Sequence, residues 1–285
     1  MALKKSSNIR DELAKVSEQI DEEELRHLDL DTPVADEDGV VRNVPLLAGY
    51  IDKEGTLHDT FSYREMTGKD EEAISKTDIR SNGAKLINTL CERCVISIGT
   101  IDKKEVGSVE WAKIIRSMCG GDLDYMAFKI RELSKGKEVQ FTHQCPNCKQ
   151  KLITVVQTDE FTINPFLGQF EIPFTLHKGI KDIKGEYHKT GIIRLPNGYD
   201  REVITPIIRK NPSTATTTLL AKCVKFDDGI VATVNSLNEM SVRDRDILEN
   251  IIKENTFGLD TKIEGIVCDS CGSDLSGEIG ESNFF

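Results

Sequence analysis

Cys145-Pro-Asn-Cys148 and Cys268-Asp-Ser-Cys271 decide how this chain is read, because one short pattern occurs twice in matching surroundings. Val139-Gln-Phe141-Thr-His143 alternates like a strand before the first pair, and Lys262-Ile263-Glu-Gly-Ile-Val267 precedes the second. Leu152 and Leu275 each lie four residues past the second cysteine, while Gly136 and Gly258 stand nine and ten residues before the first. Two cysteines on a tight turn present two thiolates at a spacing that suits Zn²⁺, and tetrahedral zinc takes four ligands. One hairpin supplies half a site. The pattern therefore predicts a structural zinc bound by Cys145, Cys148, Cys268 and Cys271, with Gly272 taking a positive φ in its turn and Lys149 at the matching place. His143 is expected to be a strand residue.

The likeness extends upstream. Leu90-Cys91-Glu-Arg-Cys94 overlays Leu219-Leu220-Ala-Lys-Cys223, each closing a helical pattern with an apolar face. Trp111, Ile114, Ile115 and Met118 have the spacing of a buried helix stripe, and Leu123, Met126, Ala127 and Ile130 repeat it after Gly120-Gly121. Ser241-Val-Arg-Asp244 reads as a capping box opening a helix buried through Ile247, Leu248, Ile251 and Ile252. Cys94 to Cys145 spans 51 residues and Cys223 to Cys268 spans 45, so the halves are similar rather than identical. The expected fold class is α+β: two similar small units, each ending in a CxxC β-hairpin, joined by the zinc. Their spans are 44–165 and 166–285, preceded by an acidic helical arm and linker over 1–43.

The arm carries 6 Lys+Arg against 12 Asp+Glu, which is −6 of the chain's −11. Ile9, Leu13, Val16 and Ile20 form a narrow seam of the coiled-coil type, expected to order on a partner subunit. Tyr50 to Phe61 reads as a hairpin turning near Gly55, and Thr67 starts a helix. Val95 to Ile98, Phe170 to Phe174 and Gly191 to Leu195 read as strands, with a turn at Pro196-Asn197-Gly198.

At 285 residues, 38% hydrophobic and 30% charged, the composition is that of an ordinary soluble protein. No apolar run nears membrane-spanning length, and the first residues lack a secretory apolar core. Eight cysteines without such a signal suit a reducing compartment, with metal or buried thiols in place of disulfides. Cys91, Cys94, Cys119 and Cys223 are expected in the core. The acidic balance disfavours nucleic acid, whose binders carry basic stripes.

No sequence feature supports catalysis. His27, His58, His143, His177 and His188 have no metal-ligand spacing, and no nucleophile motif occurs. Glu22-Glu23-Glu24 and Asp70-Glu71-Glu72 read as solvated helix faces. A zinc held by four cysteines leaves no position for water or substrate, so it would be structural. The expectation is a non-enzyme without a small-molecule substrate.

Tyr63-Arg-Glu-Met-Thr-Gly-Lys-Asp-Glu-Glu72, Leu90 to Gly99 (LCERCVISIG), Gly121-Asp-Leu-Asp-Tyr125, Gly136 to Phe141 and Cys145-Pro-Asn-Cys148 together resemble the baseplate hub family of T-even-like contractile-tailed bacteriophages. Residues 45–165 carry most of this resemblance. It implies a tail protein assembled in the bacterial host cytoplasm, located in the virion baseplate, with other baseplate or hub proteins as partners. Two alternatives stand beside it: a zinc-ribbon adaptor binding nucleic acid or the transcription machinery, and a non-virion assembly chaperone of the same family. The acidic flanks Asp269, Asp274 and Glu278 disfavour phosphate contact.

Overall fold

Strand β1 (Val40–Ile51) pairs antiparallel with β2 (Leu57–Arg64), and three backbone donors of β1 leave that ladder. Pro45 faces Thr60 but Tyr50 faces His58, so the residues between them form a bulge. Bulged backbone has lost its ladder partners and must find others. Asp122 supplies them. Its carboxylate accepts the N–H groups of Leu47, Ala48 and Gly49 at 2.8, 3.1 and 3.1 Å. The structure, a computed structural model, describes residues 35–278 apart from 183, 228, 264 and 276.

The β1–β2 pair continues through β3 (Val95–Ile98) and β4 (Ile101–Asp102) into a sheet of order β1-β2-β3-β4. Between β2 and β3 lie α1 (Gly68–Ile74), α2 (Thr77–Arg80) and α3 (Gly83–Cys94). After β4 come α4 (Lys103–Ser117) and α5 (Gly120–Lys135). Both expected stripes face this sheet's core: Trp111, Ile115, Met118, Leu123, Met126 and Ile130 are almost wholly shielded. Cys91 and Cys94 lie in the same core, as their apolar neighbours predict.

Beyond residue 165, β8 (Glu171–Lys181) and β9 (Tyr187–Arg194) form a second bulged hairpin, joined by β10 (Val224–Phe226) in order β10-β9-β8. Helices α6 (Gly198–Ile208) and α7 (Pro212–Cys223) separate β9 from β10. α8 (Val234–Asn238) and α9 (Val242–Glu254) follow, over a core that includes Phe174, Ile193, Cys223, Phe226 and Leu248. Thr175 faces Thr190 and Ile180 faces His188, so β8 also bulges. Asp244 accepts from His177, Lys178 and Gly179 at 2.6, 3.0 and 2.9 Å.

Several local readings change. Asn197 caps α6 by accepting from Asp200 N, and its own N–H donates to the Asp200 carboxylate, so Pro196-Asn197-Gly198 opens a helix. Ser241 caps α9, but Asp244 points into the β8 bulge rather than completing the box. Asp70 is no solvated residue: it is 1% exposed and takes Arg64 at 2.7 Å and Arg93 at 2.8 Å. The boundary expected after residue 43 falls inside β1, because Val40 and Val41 already pack inward.

Residues from Ala35 onward form one compact unit. Asn88 donates to Gly198 O at 3.2 Å and to Glu202 at 2.7 Å, and Arg116 pairs with Glu202 at 3.0 Å. Phe257 joins Ala48 and Leu195 in a small core, with Phe166 packed 5.0 Å from its ring. Ile9, Leu13, Val16 and Ile20 lie outside the described residues.

Candidate metal centre

The first cysteine pair sits at the tip of the ribbon β5 (Glu138–Gln144) and β6 (Lys151–Gln157). Its base is anchored: Val139 and Val156 pack with Phe128 and Phe161, and Arg131 donates to the carbonyls of Gly136 and Glu138. The second pair tips a looser hairpin, in which β12 (Lys262–Ile263) meets β13 (Gly277–Glu278). Val267 bridges Asp274 nearer its tip.

One short ladder sets the two hairpins side by side. β7 (Thr162–Asn164), just after the first hairpin, pairs antiparallel with β11 (Gly258–Asp260), just before the second. Gly258 enters this ladder at φ +108°, and a Cβ there would come within 2.8 Å of Gly121 Cα.

The two tips share one backbone design. Cys145 N–H donates to Gln150 O at 2.9 Å, and Lys149 N–H to Cys145 O at 3.0 Å. Cys268 N–H donates to Ser273 O at 2.9 Å, and Gly272 N–H to Cys268 O at 2.8 Å. Lys149 and Gly272 take φ of 63° and 68°, as their matching positions predict. A lysine tolerates the left-handed region at a cost that glycine avoids.

Across the gap, Cys145 Sγ stands 3.6 Å from Cys271 Sγ and Cys148 Sγ stands 3.6 Å from Cys268 Sγ. All four sulfurs lie within 4.8 Å of one another. A metal–sulfur bond of about 2.3 Å puts the corners of a regular tetrahedron about 3.8 Å apart. The cluster is thus close to the size of a four-thiolate site and could hold a metal ion. Cys145 and Cys268 are buried, Cys148 and Cys271 exposed.

The electrostatics favour a cation at the centre. The backbone N–H groups of Cys148 and Asn147 pull the Cys145 thiol below its ordinary range. Hydrogen bonds from the Ser273 hydroxyl and backbone bring Cys271 down to about 6. At Cys148 the Gln150 N–H works in the same direction, but partial desolvation of the sulfur and the neighbouring Cys268, Cys145 and Cys271 raise it to about 12. Four thiolates this close repel one another, and a divalent ion removes the conflict. The other cysteines differ in kind: burial pushes Cys94 up to about 11 and Cys223 up to about 12, as befits inert core thiols.

Polar contacts around the cluster escaped sequence reading. Asn147 Nδ2 donates to Ser273 Oγ at 3.1 Å, and the Ser270 hydroxyl meets Gln150. They tie one tip to the other beside the sulfurs, and no spacing rule marks them.

Among the described residues no helix is long and apolar enough to cross a membrane. No curated protein and no solved structure matches the chain. Residues 51–279, which take in both cysteine hairpins, match the family model described as T4 bacteriophage base plate protein. The chain belongs to that family of phage baseplate proteins.

Proposed function

We propose that this protein is a non-enzymatic, hub-associated subunit of a contractile-tail baseplate, built from two versions of one α+β unit pinned together by a structural zinc. The family match carries the baseplate reading. The four-sulfur cluster carries the zinc: a tetrahedral all-thiolate set suits Zn²⁺ or iron, and it has no open position for catalysis.

Several matched interactions support the duplication. Arg64 holds Asp70 and reaches the carbonyls of Glu65 and Arg93; Arg194 holds Asp200 and reaches those of Leu195 and Lys222. His58 meets Asp52 at 3.0 Å, and His188 meets Asp182 at 3.6 Å, at the turn of each bulged hairpin. Cys94 and Cys223 end the corresponding helices, and the next residue in each case donates to a carbonyl of the last turn.

The acidic arm, through Ile9, Leu13, Val16 and Ile20, is the proposed docking element for a neighbouring baseplate or hub protein. Function then rests on protein contacts, not on nucleic acid, a membrane or a substrate. Elemental analysis of purified protein should give one zinc per chain, and the Cys145→Ser/Cys268→Ser variant should give none. Finding the protein in purified particles supports a tail subunit; its presence only in assembling lysates would make it a chaperone and overturn the structural reading.

A further inference from the structure

Away from the four-cysteine cluster, an open cleft of about 720 Å³ lies between the start of β1, the end of α3 and the start of α4. Its wall carries Arg42, Arg64, Arg93, Lys103 and Lys104 against the carboxylates of Asp38 and Asp102. In a chain of net charge −11 such a concentration of cations needs a reason. We propose that this cleft binds an acidic polypeptide segment of a partner protein through that segment's carboxylates.

The cations outnumber the carboxylates beside them, five against Asp36, Asp38, Asp70 and Asp102. Arg64 and Arg93 share one carboxylate, Asp70. In the second sheet a single arginine, Arg194, takes both oxygens of Asp200, at 2.6 and 3.1 Å. Among the described residues Lys103 donates to main-chain carbonyls, Glu92 O at 2.6 Å and Arg93 O at 3.0 Å. Burial is the main cause that lowers its pKa, and the nearby Arg64 and Arg93 add to it. Asp36, itself exposed, pairs with Arg42 at 2.7 Å. Asp102 accepts from Lys104 N, so its charge is committed to the start of α4.

The backbone adds to this potential. Gly107, at φ 78°, interrupts α4, and a fresh helical stretch starts at Ser108; both residues line the cleft. A helix start offers unpaired N–H groups and a partial positive charge to an anion. The wall holds no aromatic ring, and Val40 and Ile96 are its larger apolar residues. A nucleotide base would have nothing to stack on, whereas carboxylates need only the cations. Arginine forks suit carboxylate oxygens in pairs, and Arg42 and Lys104 are exposed enough to meet a chain laid along the opening.

The test uses full-length protein and an N-acetylated hexaglutamate peptide, read by calorimetry at low and moderate salt. We expect saturable binding that weakens as salt rises. Arg42→Gln/Lys104→Gln should weaken it at least tenfold, while Lys151→Gln, on the distant ribbon, should leave it unchanged. Lys103→Gln should weaken it comparably; should that variant fail to fold, the surface double variant decides alone. Absence of binding overturns the proposal, as does equal weakening by Lys151→Gln. So does inorganic phosphate displacing the peptide at equal concentration, since the cleft would then be a small-anion site. The metal content of the cysteine cluster does not enter this test.

Discussion

Asp122 and Asp244 occupy the same position, the third residue of a helix, and each satisfies three consecutive backbone N–H groups of a bulged strand. Both carboxylates are fully shielded from solvent. They nevertheless titrate in opposite directions. Burial dominates at Asp122 and raises it to about 6, against the pull of the N–H groups of Ala48, Leu47 and Gly49. At Asp244 burial also raises the value, but it is outweighed by Gly179, Lys178 and His177, and the net shift is downward. At Asp122 burial outweighs the three N–H donors, whereas at Asp244 the three donors, with the Ser241 hydroxyl beside them, outweigh burial.

Removing one charge should therefore hurt more than removing the other. Asp244→Asn replaces an oxygen by an N–H₂ that faces backbone donors, and it should cost about 2–3 kcal/mol, the usual penalty for leaving buried donors unmet. Asp122→Asn should cost less at neutral pH, because it also relieves a buried charge. Urea unfolding of both variants at pH 7.5 checks the order. A larger loss for Asp122→Asn would contradict it.

The same asymmetry gives a pH dependence. Asp122 has a folded value above its ordinary 3.8, so the native state holds a proton that the unfolded chain releases between about pH 4 and 6. Its favourable contribution is full below pH 4 and is lost as pH rises through 6. Asp244 has a depressed folded value, so its contribution is present above about pH 4 and fades on further acidification. Carboxyl-carbon NMR titration should find Asp122 near pH 6 and Asp244 below 3.8. Stability measured from pH 4 to 7 should fall less steeply in Asp122→Asn than in the parent.

Two glycines, one in the β8 bulge and one in the β1–β2 turn, are equally testable. Gly179 has φ 82°, and an added Cβ would lie 2.0 Å from His188 O; Gly55 has φ 84° with nothing within 4 Å. Gly55→Ala should cost about 1 kcal/mol for its backbone conformation alone. Gly179→Ala adds a collision with backbone that cannot swing away, and should cost on the order of 3 kcal/mol or abolish folding. Thermal melts of the two variants separate conformational strain from contact.

What sequence could reveal followed the reach of each interaction. The cysteine turns were legible because a CxxC motif with a left-handed fifth residue is local, written in Cys145–Lys149 and Cys268–Gly272. The helix stripes at Trp111 and Leu123 were legible from their period. Asp70 was misread because a charge in a helix's first turn looks solvated until Arg64 and Arg93 arrive from elsewhere. The duty of Asp122 was invisible for the same reason: its partners lie in a strand more than 70 residues away and are backbone, so no side-chain pattern announces them. Pro196-Asn197-Gly198 misled because Asn and Gly serve turns and helix caps alike, and Asp200 decides between them.

Removal of the proposed zinc should act locally before it acts globally. β5–β6 has its own anchoring core around Phe128 and Phe161, whereas the second hairpin pairs, among the described residues, Lys262 with Glu278, Ile263 with Gly277 and Val267 with Asp274. A strong chelator should therefore raise hydrogen exchange in 262–278 far more than in 138–157. The main sheets, with cores of their own, should keep their protection. Uniform loss of protection would mean that the metal holds the whole fold.

The acidic arm gives the last prediction. Ile9, Leu13, Val16 and Ile20 offer a narrow apolar seam, and a single short helix cannot bury such a seam on itself. Against a second helix, four such side chains bury enough surface for about 6–10 kcal/mol before ordering costs, at roughly 1.5–3 kcal/mol each. The surrounding Asp and Glu residues would steer the seam toward a basic surface. Because β1 begins at Val40 and Ala35 already packs on the first core, the deletion that isolates the arm removes residues 1–34 and no more. Tail proteins captured by the full chain should be lost or strongly reduced with the shortened one, while its melting temperature stays unchanged. Ile9→Asp/Leu13→Asp in the full chain should reproduce that loss, because it spoils the seam and leaves the length and acidity of the arm intact. Equal capture by all three proteins would move partner recognition from the arm to the body of the fold.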